Sequence, residues 1–232
     1  MKGIVASGRG EGKKYVGIEG YKRHFLKMGI APYPGTLNII VGDRMVRDLK
    51  EMGGIRIEGF YEKGKKYGRV ECFPVNIFGE NALLVLPEKS RYKDIVEIVA
   101  ERNLRERYGI RDGDEVILFF NPFVKKCREM KLFATPYIGK KISKITVFYD
   151  DPFTNGRRDL CYFTEKENER EYRKTVASRE VACIPFYRNL KTSYATLMKF
   201  INERGYHIMY PPRIVKYSCL SEWQIEIKST PH

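Results

Sequence analysis

Gly, Pro and Asp cut the first 120 residues into short apolar runs, and that punctuation constrains the fold more than any other feature of the chain. Thr36-Leu-Asn-Ile-Ile-Val41, Ile55-Arg-Ile-Glu-Gly-Phe60, Gly68-Arg-Val-Glu-Cys-Phe73, Ala82-Leu-Leu-Val-Leu-Pro87 and Glu115-Val-Ile-Leu-Phe-Phe120 are each bounded by turn formers. Runs this short and this spaced predict strands of a compact β-barrel. Three helical stretches interrupt them. Gly20 to Gly29 sets Tyr21, Phe25 and Met28 at i, i+4 and i+7. Asp43 can cap a helix through Met45, Val46 and Leu49. The segment Asp94 to Ala100 (DIVEIVA) predicts a third helix with Asp94 as its N-cap.

The character changes after Phe120. Asn121-Pro122 breaks the last strand, and Val124 to Met130 is a charged stretch that places a boundary near 124–130. The expected organisation is a barrel over 1–124, a connector over 125–141 and an α+β unit over 142–232. In the last, strands are expected at Ile145–Tyr149, Glu180–Pro185, Arg213–Tyr217 and Trp223–Ile227. A helix over Tyr194–Arg204 buries Tyr194, Leu197, Met198 and Ile201, and Gly205 fits its C-terminal stop.

Composition excludes several classes. No apolar run approaches the roughly 20 residues of a membrane span, and the N-terminus has no apolar signal core, so a cytoplasmic protein without a membrane partner is expected. Cys72, Cys127, Cys161, Cys183 and Cys219 are odd in number and contain no CxxC pair, which reads as reduced core thiols rather than a disulfide framework or zinc site. The net charge of +14 suits a polyanionic or phosphate-rich ligand. No helix-turn-helix or aromatic-interleaved basic pattern is visible, which argues against nucleic acid. Gln224 is the only glutamine and 31% of residues are charged, a thermophile-like balance. His24, His207 and His232 have no metal spacing and no catalytic company.

Two segments carry chemistry. Gly8-Arg-Gly-Glu-Gly-Lys-Lys14 follows the apolar Ile4-Val5-Ala6. Its glycines allow backbone N–H groups to approach a phosphate chain, and Lys13 and Lys14 add charge. The spacing is neither a P-loop nor a dinucleotide fingerprint, and by itself the segment fits a hairpin turn as well as a ligand loop. In Pro32-Tyr-Pro-Gly-Thr-Leu-Asn-Ile-Ile40, Thr36 and Asn38 share one face of a strand. Their hydroxyl and amide oxygens suit Mg²⁺ when phosphates and water complete the shell, and they suit a solvent-facing strand equally well.

The pieces GxGEGxxY, PYPGTLN, LPEKSRY and DIVEIVAERNLRERYGIRDGDEV, in that order, resemble the archaeal CTP-dependent riboflavin kinase family over about residues 3–120. The resemblance implies a small cradle-loop β-barrel that moves the γ-phosphoryl group of CTP to the 5′-hydroxyl of riboflavin, giving FMN and CDP. By position, Arg9, Gly10, Glu11, Gly12, Lys13 and Lys14 fall on the first nucleotide loop. Arg102, Asn103, Leu104 and Arg105 fall on the second. Thr36 and Asn38 fall on the Mg²⁺ ligands. Ser90 falls on a flavin-phosphate contact, and Glu97 on a flavin contact that could orient or deprotonate the ribityl hydroxyl as the catalytic group. Ser90 stands where the family usually has Thr, which keeps the hydroxyl, and Glu101 stands where Pro is usual. Phosphoryl transfer needs positioning, a metal and cations more than covalent chemistry, which these residue types supply. A glutamate at position 97 of a helix would otherwise face solvent.

VFYDDPF, RRDLCYF, EVACIPFYRNLKTSYATLMKFINERGYHIMYPPRIVKY and EWQIEIKSTPH resemble gyrase-inhibitor-like, effector-binding domains over about 142–232. Two βαββ halves are usual there, and only the second is clear in this sequence. Either a second subunit completes the module, as in a homodimer, or the pocket is degenerate. The resemblance implies a carboxylate at Glu226, walled by Tyr149, Tyr187, Tyr217 and Trp223, holding a cationic or aromatic small-molecule effector. The alternation of Trp223, Gln224, Ile225, Glu226 and Ile227 fits equally a strand whose polar face meets water. The chain thus reads as a CTP- and riboflavin-using kinase with an appended binding module. The alternative is a flavin- and nucleotide-binding sensor without turnover.

Overall fold

The computed structural model describes residues 1–8, 10–90, 92–127, 130–135, 145–148, 160–164, 172–176 and 179–228, with the strands between 130 and 176 given by backbone alone. The chain divides into two compact units, Met1–Asn121 and Pro122–His232.

The elements of the first unit are β1 (Lys2–Ala6), α1 (Gly12–Val16), α2 (Glu19–Lys27), β2 (Leu37–Ile40), α3 (Asp43–Met52), β3 (Ile55–Ile57), β4 (Phe60–Glu62), β5 (Lys65–Tyr67), β6 (Val70–Ile77), β7 (Glu80–Pro87), β8 (Ile95–Ala100), α4 (Leu104–Tyr108) and β9 (Glu115–Phe120). The sheet runs β3-β6-β7-β8-β2-β1-β9, and β9 pairs back on β6. That last pairing (Val75 with Phe120, Ile77 with Leu118) closes six antiparallel strands into a barrel and leaves the edge of β6 nearest its start to β3. Closure removes the exposed edges an open sheet would present. Val5, Ile39, Phe73, Leu84, Ile98 and Leu118 are essentially inaccessible and alternate along their strands with outward-facing residues.

A second layer covers part of the outer face. Tyr21 and Phe25 of α2, with Val16 of α1, pack against Ile57, Val70, Cys72, Leu83, Val85 and Val99. The spacing of Tyr21, Phe25 and Met28 is the stripe that makes this contact. The hairpin β4–β5 joins the layer: Phe60 meets Tyr21 edge-on at 4.9 Å between ring centres. Burial pushes the Tyr21 hydroxyl up to about 12, with the nearby Tyr15, Tyr67 and Glu88 adding to the effect, so it stays protonated and donates to the Gly68 carbonyl at 2.8 Å.

The segment 94–100 corrects the sequence reading. It is strand β8, not a helix, and Asp94 caps nothing helical. Ile95, Val96, Ile98 and Val99 are β-branched, and the segment pairs on both sides, with Leu37–Ile40 and with Ala82–Val85. Its inner residues Val96, Ile98 and Ala100 fill the barrel while Val99 meets the helical layer, so apolar residues occupy both faces. That two-sided burial mimics a helical spacing. Asp43 likewise opens α3 from inside its first turn, after Gly42.

Helix α4 is fixed at its far end. Tyr108 stacks on Phe78 at 4.5 Å and donates to Glu80 Oε1 at 2.8 Å; Arg107 also pairs with Glu80. Phe78 and Gly79 both take positive φ, as a two-residue hairpin turn between β6 and β7 requires. The Tyr108 hydrogen bond, with Arg107, holds the Glu80 carboxyl below the usual carboxylate range. A depressed acid contributes stability above its ordinary pKa and loses it as pH falls through the folded value. The melting-temperature difference between wild type and Glu80→Gln is therefore expected to persist at neutral pH and to shrink as pH falls below the ordinary glutamate range; a difference independent of pH would remove this pairing as its source.

The second unit comprises β10 (Phe123–Lys126), β11 (Met130–Thr135), β12 (Ile145–Phe148), β13 (Leu160–Thr164), β14 (Tyr172–Val176), β15 (Glu180–Phe186), α5 (Leu190–Glu203), β16 (His207–Ile208), β17 (Arg213–Lys216) and β18 (Ser221–Lys228). An antiparallel sheet in the order β10-β15-β18-β17-β12-β13-β11-β14 carries α5 against β15 and β18. In chain order β15 and α5 are followed by β16, β17 and β18. The stretch 125–141 is not a plain connector: Phe123–Lys126 pairs with Glu180–Cys183 and Met130–Thr135 is a second strand. Pro122 marks the change instead. Cys72, Cys127, Cys183 and Cys219 are free thiols, the first three buried, and burial pushes the Cys72 and Cys183 thiols up. Among the described residues no helix is long and apolar enough to cross a membrane.

Candidate active site

The site grows from a register. Asn38 of β2 lies opposite Ala6 of β1 on one side and Glu97 of β8 on the other. All three therefore share the outer face of the barrel, as does Thr36, two residues before Asn38. The chain leaving β1 turns back over this face. A Cβ at Gly8 would lie 1.9 Å from Asn38 Nδ2, and one at Gly12 would lie 2.2 Å from Thr36 Oγ1. Only glycine lets the backbone come this close. Gly12 of the predicted nucleotide loop and Gly8 just before it thus rest on the two predicted metal ligands, while Gly10 between them takes φ +74° over open space.

Glu97 completes the group. Burial raises its carboxyl above the usual carboxylate range; a hydrogen bond from the Thr36 side chain opposes this, and the charge of Glu11 adds to it. Strand alternation points Glu97 outward, yet the overlying loop half-buries it. Such a carboxylate is a better proton acceptor than a free one and can hold a hydroxyl in place. Among the described residues no three His, Cys, Asp or Glu side chains gather as a metal site. Thr36 and Asn38 instead offer neutral hard oxygens, with the Asn38 amide nitrogen as the atom nearest Gly8.

The remaining predicted residues divide by what they touch. Glu11, Lys13 and Lys14 are exposed, the lysines within α1. Arg9 lies outside the described residues. Ser90 sits in the turn after β7, where its hydroxyl accepts from Tyr92 N at 3.3 Å. Arg102 is exposed. Asn103 caps α4 by accepting from Arg105 N at 3.1 Å and from Glu106 N at 3.4 Å, and Leu104 is buried. Arg105 donates through Nη2 to Ala6 O at 2.9 Å and to Asp112 Oδ1 at 2.7 Å. The unusual Glu101 accepts from Ala31 N at 3.0 Å, tying the second loop to the PYPGTLN segment. Asp112 carries no sequence signal of its role, because an aspartate in a DGD turn signals a turn before it signals a partner 105 residues away.

Among the described residues of the second unit, the expected aromatic walls do not gather around Glu226. Glu226 and Trp223 are both buried but fall on opposite faces of β18. Trp223 packs against Tyr194 of α5 and donates to Leu190 O at 3.0 Å. Glu226 accepts from Arg213 Nη1 at 2.9 Å and lies 3.5 Å from Arg179 Nη1. Arg213 also reaches Gln224, Gln224 reaches Glu222, and Lys125 pairs with Glu222 at 2.6 Å. The polar face of this strand therefore meets neither water nor an empty cage: its carboxylates are neutralised from within. Tyr187 is exposed beside Arg188, Tyr217 follows β17 with its backbone N–H on Leu220 O, and Tyr149 lies outside the described residues.

Comparison with known proteins bears on the first unit. A family model named for CTP-dependent riboflavin kinase, and described as a domain of unknown function (DUF120), matches residues 5–119. The riboflavin kinase of Thermoplasma volcanium is 40% identical over 122 residues, covering 51% of this chain and 56% of that protein. The riboflavin kinase of Ignicoccus hospitalis is 39% identical over 121 residues, covering 50% of this chain and 68% of that protein. The chain spans about half the length of the first of these curated relatives. Among solved structures, the EcmrR C-terminal domain is 11% identical, covering 47% of this chain and 98% of that chain at a TM-score of 0.36, too low to assign a fold.

Proposed function

The chain belongs to the CTP-dependent riboflavin kinase family, and from that premise we propose that it transfers the γ-phosphoryl group of CTP to the 5′-hydroxyl of riboflavin, yielding FMN and CDP. The observation that carries this reading is the stacking of Gly8 on Asn38 and Gly12 on Thr36, with Glu97 directly across the strand. It brings a phosphate-compatible backbone, hard oxygen ligands and a candidate base onto one patch.

The donors fit a hard divalent cation: a hydroxyl and an amide oxygen, with phosphates and water to complete the shell. Thr36 and Asn38 would hold a Mg²⁺ ion, which would supply positive charge to offset the charge of the transferring phosphoryl group. The chain's own part is positional. The glycine segment cradles the phosphates through its N–H groups, Lys13 and Lys14 supply charge at its end, and Glu97 orients the ribityl hydroxyl and takes its proton. Ser90, at the turn joining β7 to β8, stands ready for a flavin-side contact. For the second unit we propose a binding role whose ligand is not a cation held at Glu226, since Arg213 already occupies that carboxylate.

The decisive assay mixes the protein with riboflavin, Mg²⁺ and either CTP or ATP. FMN is expected with CTP, and omission of the metal is expected to stop it. Tight flavin binding without product over hours would overturn the kinase reading in favour of a sensor.

A further inference from the structure

The glycine segment leaves the barrel through one peptide group, Ala6–Ser7, and both polar ends of that group are gripped by the same ion pair. The Ala6 carbonyl accepts from Arg105 Nη2 at 2.9 Å, the Ser7 N–H donates to Asp112 Oδ2 at 3.0 Å, and Arg105 Nη2 meets Asp112 Oδ1 at 2.7 Å. Both partners are themselves anchored. Arg105 lies in α4, held at one end by the Asn103 cap and at the other by Tyr108 on the β6–β7 turn. Asp112 lies in a turn docked on β1, where Gly113 N reaches Val5 O at 2.9 Å and Val5 N reaches Asp114 O at 2.9 Å. Gripping a carbonyl and an N–H of one planar peptide fixes the orientation of that plane. The plane sets the direction in which the chain departs toward Gly8, where an added Cβ would collide with Asn38.

We propose that Asp112 is a positioning residue for the nucleotide loop: with Arg105 it latches the Ala6–Ser7 peptide, so that the glycine segment is laid over Asn38 and Thr36 before nucleotide arrives. Arg105, carried by the second loop, serves the site through the backbone of the first rather than by contacting phosphate itself. The latch thereby couples the two loops without a bound ligand. Preorganisation of this kind removes an ordering cost from binding and appears as affinity for the ligand of that loop alone. The inference rests on reading the glycine segment as the nucleotide loop.

The test uses the full chain, with kinetics in CTP and riboflavin and calorimetric titration of CDP. Asp112→Asn keeps the shape but replaces one acceptor by a donor facing Ser7 N–H or Arg105. It is expected to weaken CDP binding and raise KM for CTP about tenfold, the scale of one lost charge-assisted contact, while KM for riboflavin stays put. Arg105→Lys, whose ammonium stops one bond short of the Nη2 that makes both contacts, is expected to match it, and the double variant to fall within about twofold of either single one. Additive losses would overturn the latch, because Arg105 would then be acting on phosphate directly. Equal shifts for riboflavin and CTP would overturn it as merely structural. If Asp112→Asn fails to fold, Arg105→Lys alone reads the same CTP-versus-riboflavin split. Intact CDP binding by the wild type without FMN formation removes the kinase reading and leaves the latch testable by calorimetry. No CDP binding by the wild type removes the latch.

Discussion

Gly12→Ala is expected to lower FMN formation by about two orders of magnitude while leaving the melting temperature nearly unchanged, since a misplacement of about 1 Å at a reacting centre costs on that scale. The added methyl carbon would sit 2.2 Å from Thr36 Oγ1 and 3.1 Å from both Thr36 Cβ and Cγ2. Thr36 is β-branched and has little rotamer freedom with which to retreat. Either its hydroxyl leaves the face it shares with Asn38, or α1 lifts away from it. Backbone strain is not the cause, because Gly12 is helical and alanine favours a helix. Gly10→Ala is the control: it meets nothing within 4 Å but holds φ at +74°, so it is expected to cost about 1 kcal/mol of stability and leave the Thr36 geometry alone. Steady-state kinetics and thermal melts on the two variants separate these effects. Near-normal turnover in Gly12→Ala would remove Thr36 and the loop contact from the active site.

Glu97→Gln is expected to reduce turnover by about 100-fold or more, the usual contribution of a positioned general base, with CDP affinity retained. The same substitution has a predicted signature in the protein free of metal and ligand. Burial, with the charge of Glu11, raises the Glu97 carboxyl. A raised acid contributes stability below its ordinary pKa and loses it as pH climbs through the higher folded value, so at neutral pH the ionised Glu97 opposes folding. Glutamine has no charge to desolvate. Its melting temperature should equal or exceed that of wild type at neutral pH, and the two should converge in acid. Full turnover would take Glu97 out of the mechanism, and a lower melting temperature at neutral pH would make it a structural group instead.

Much of this site was legible because its parts are local. A glycine segment after an apolar strand, and Thr36 and Asn38 at a spacing of two, need no knowledge of the rest of the chain. Glu97 is marked only by the family resemblance, and its strand is not legible because β8 buries apolar residues on both faces. Asp112 had no assigned role, because its partners Arg105 and Ser7 are brought to it by the closing of the barrel rather than by any sequence pattern. Glu226 shows the converse. Its place on a late strand is legible, but its ion pair with Arg213 is not, since that pairing depends on which strand lies alongside.

Sequence by itself determined which segments are apolar, where turns interrupt them, and which stripes of α2 and α5 are buried, because turn chemistry and side-chain periodicity act within a few residues. Tertiary structure alone decided that 94–100 is a strand, that β9 returns to β6, and that one ion pair grips the peptide where the glycine loop begins. Those outcomes depend on pairings between residues tens to about a hundred positions apart, whose free energy comes from burial and hydrogen bonding available only once the barrel has closed.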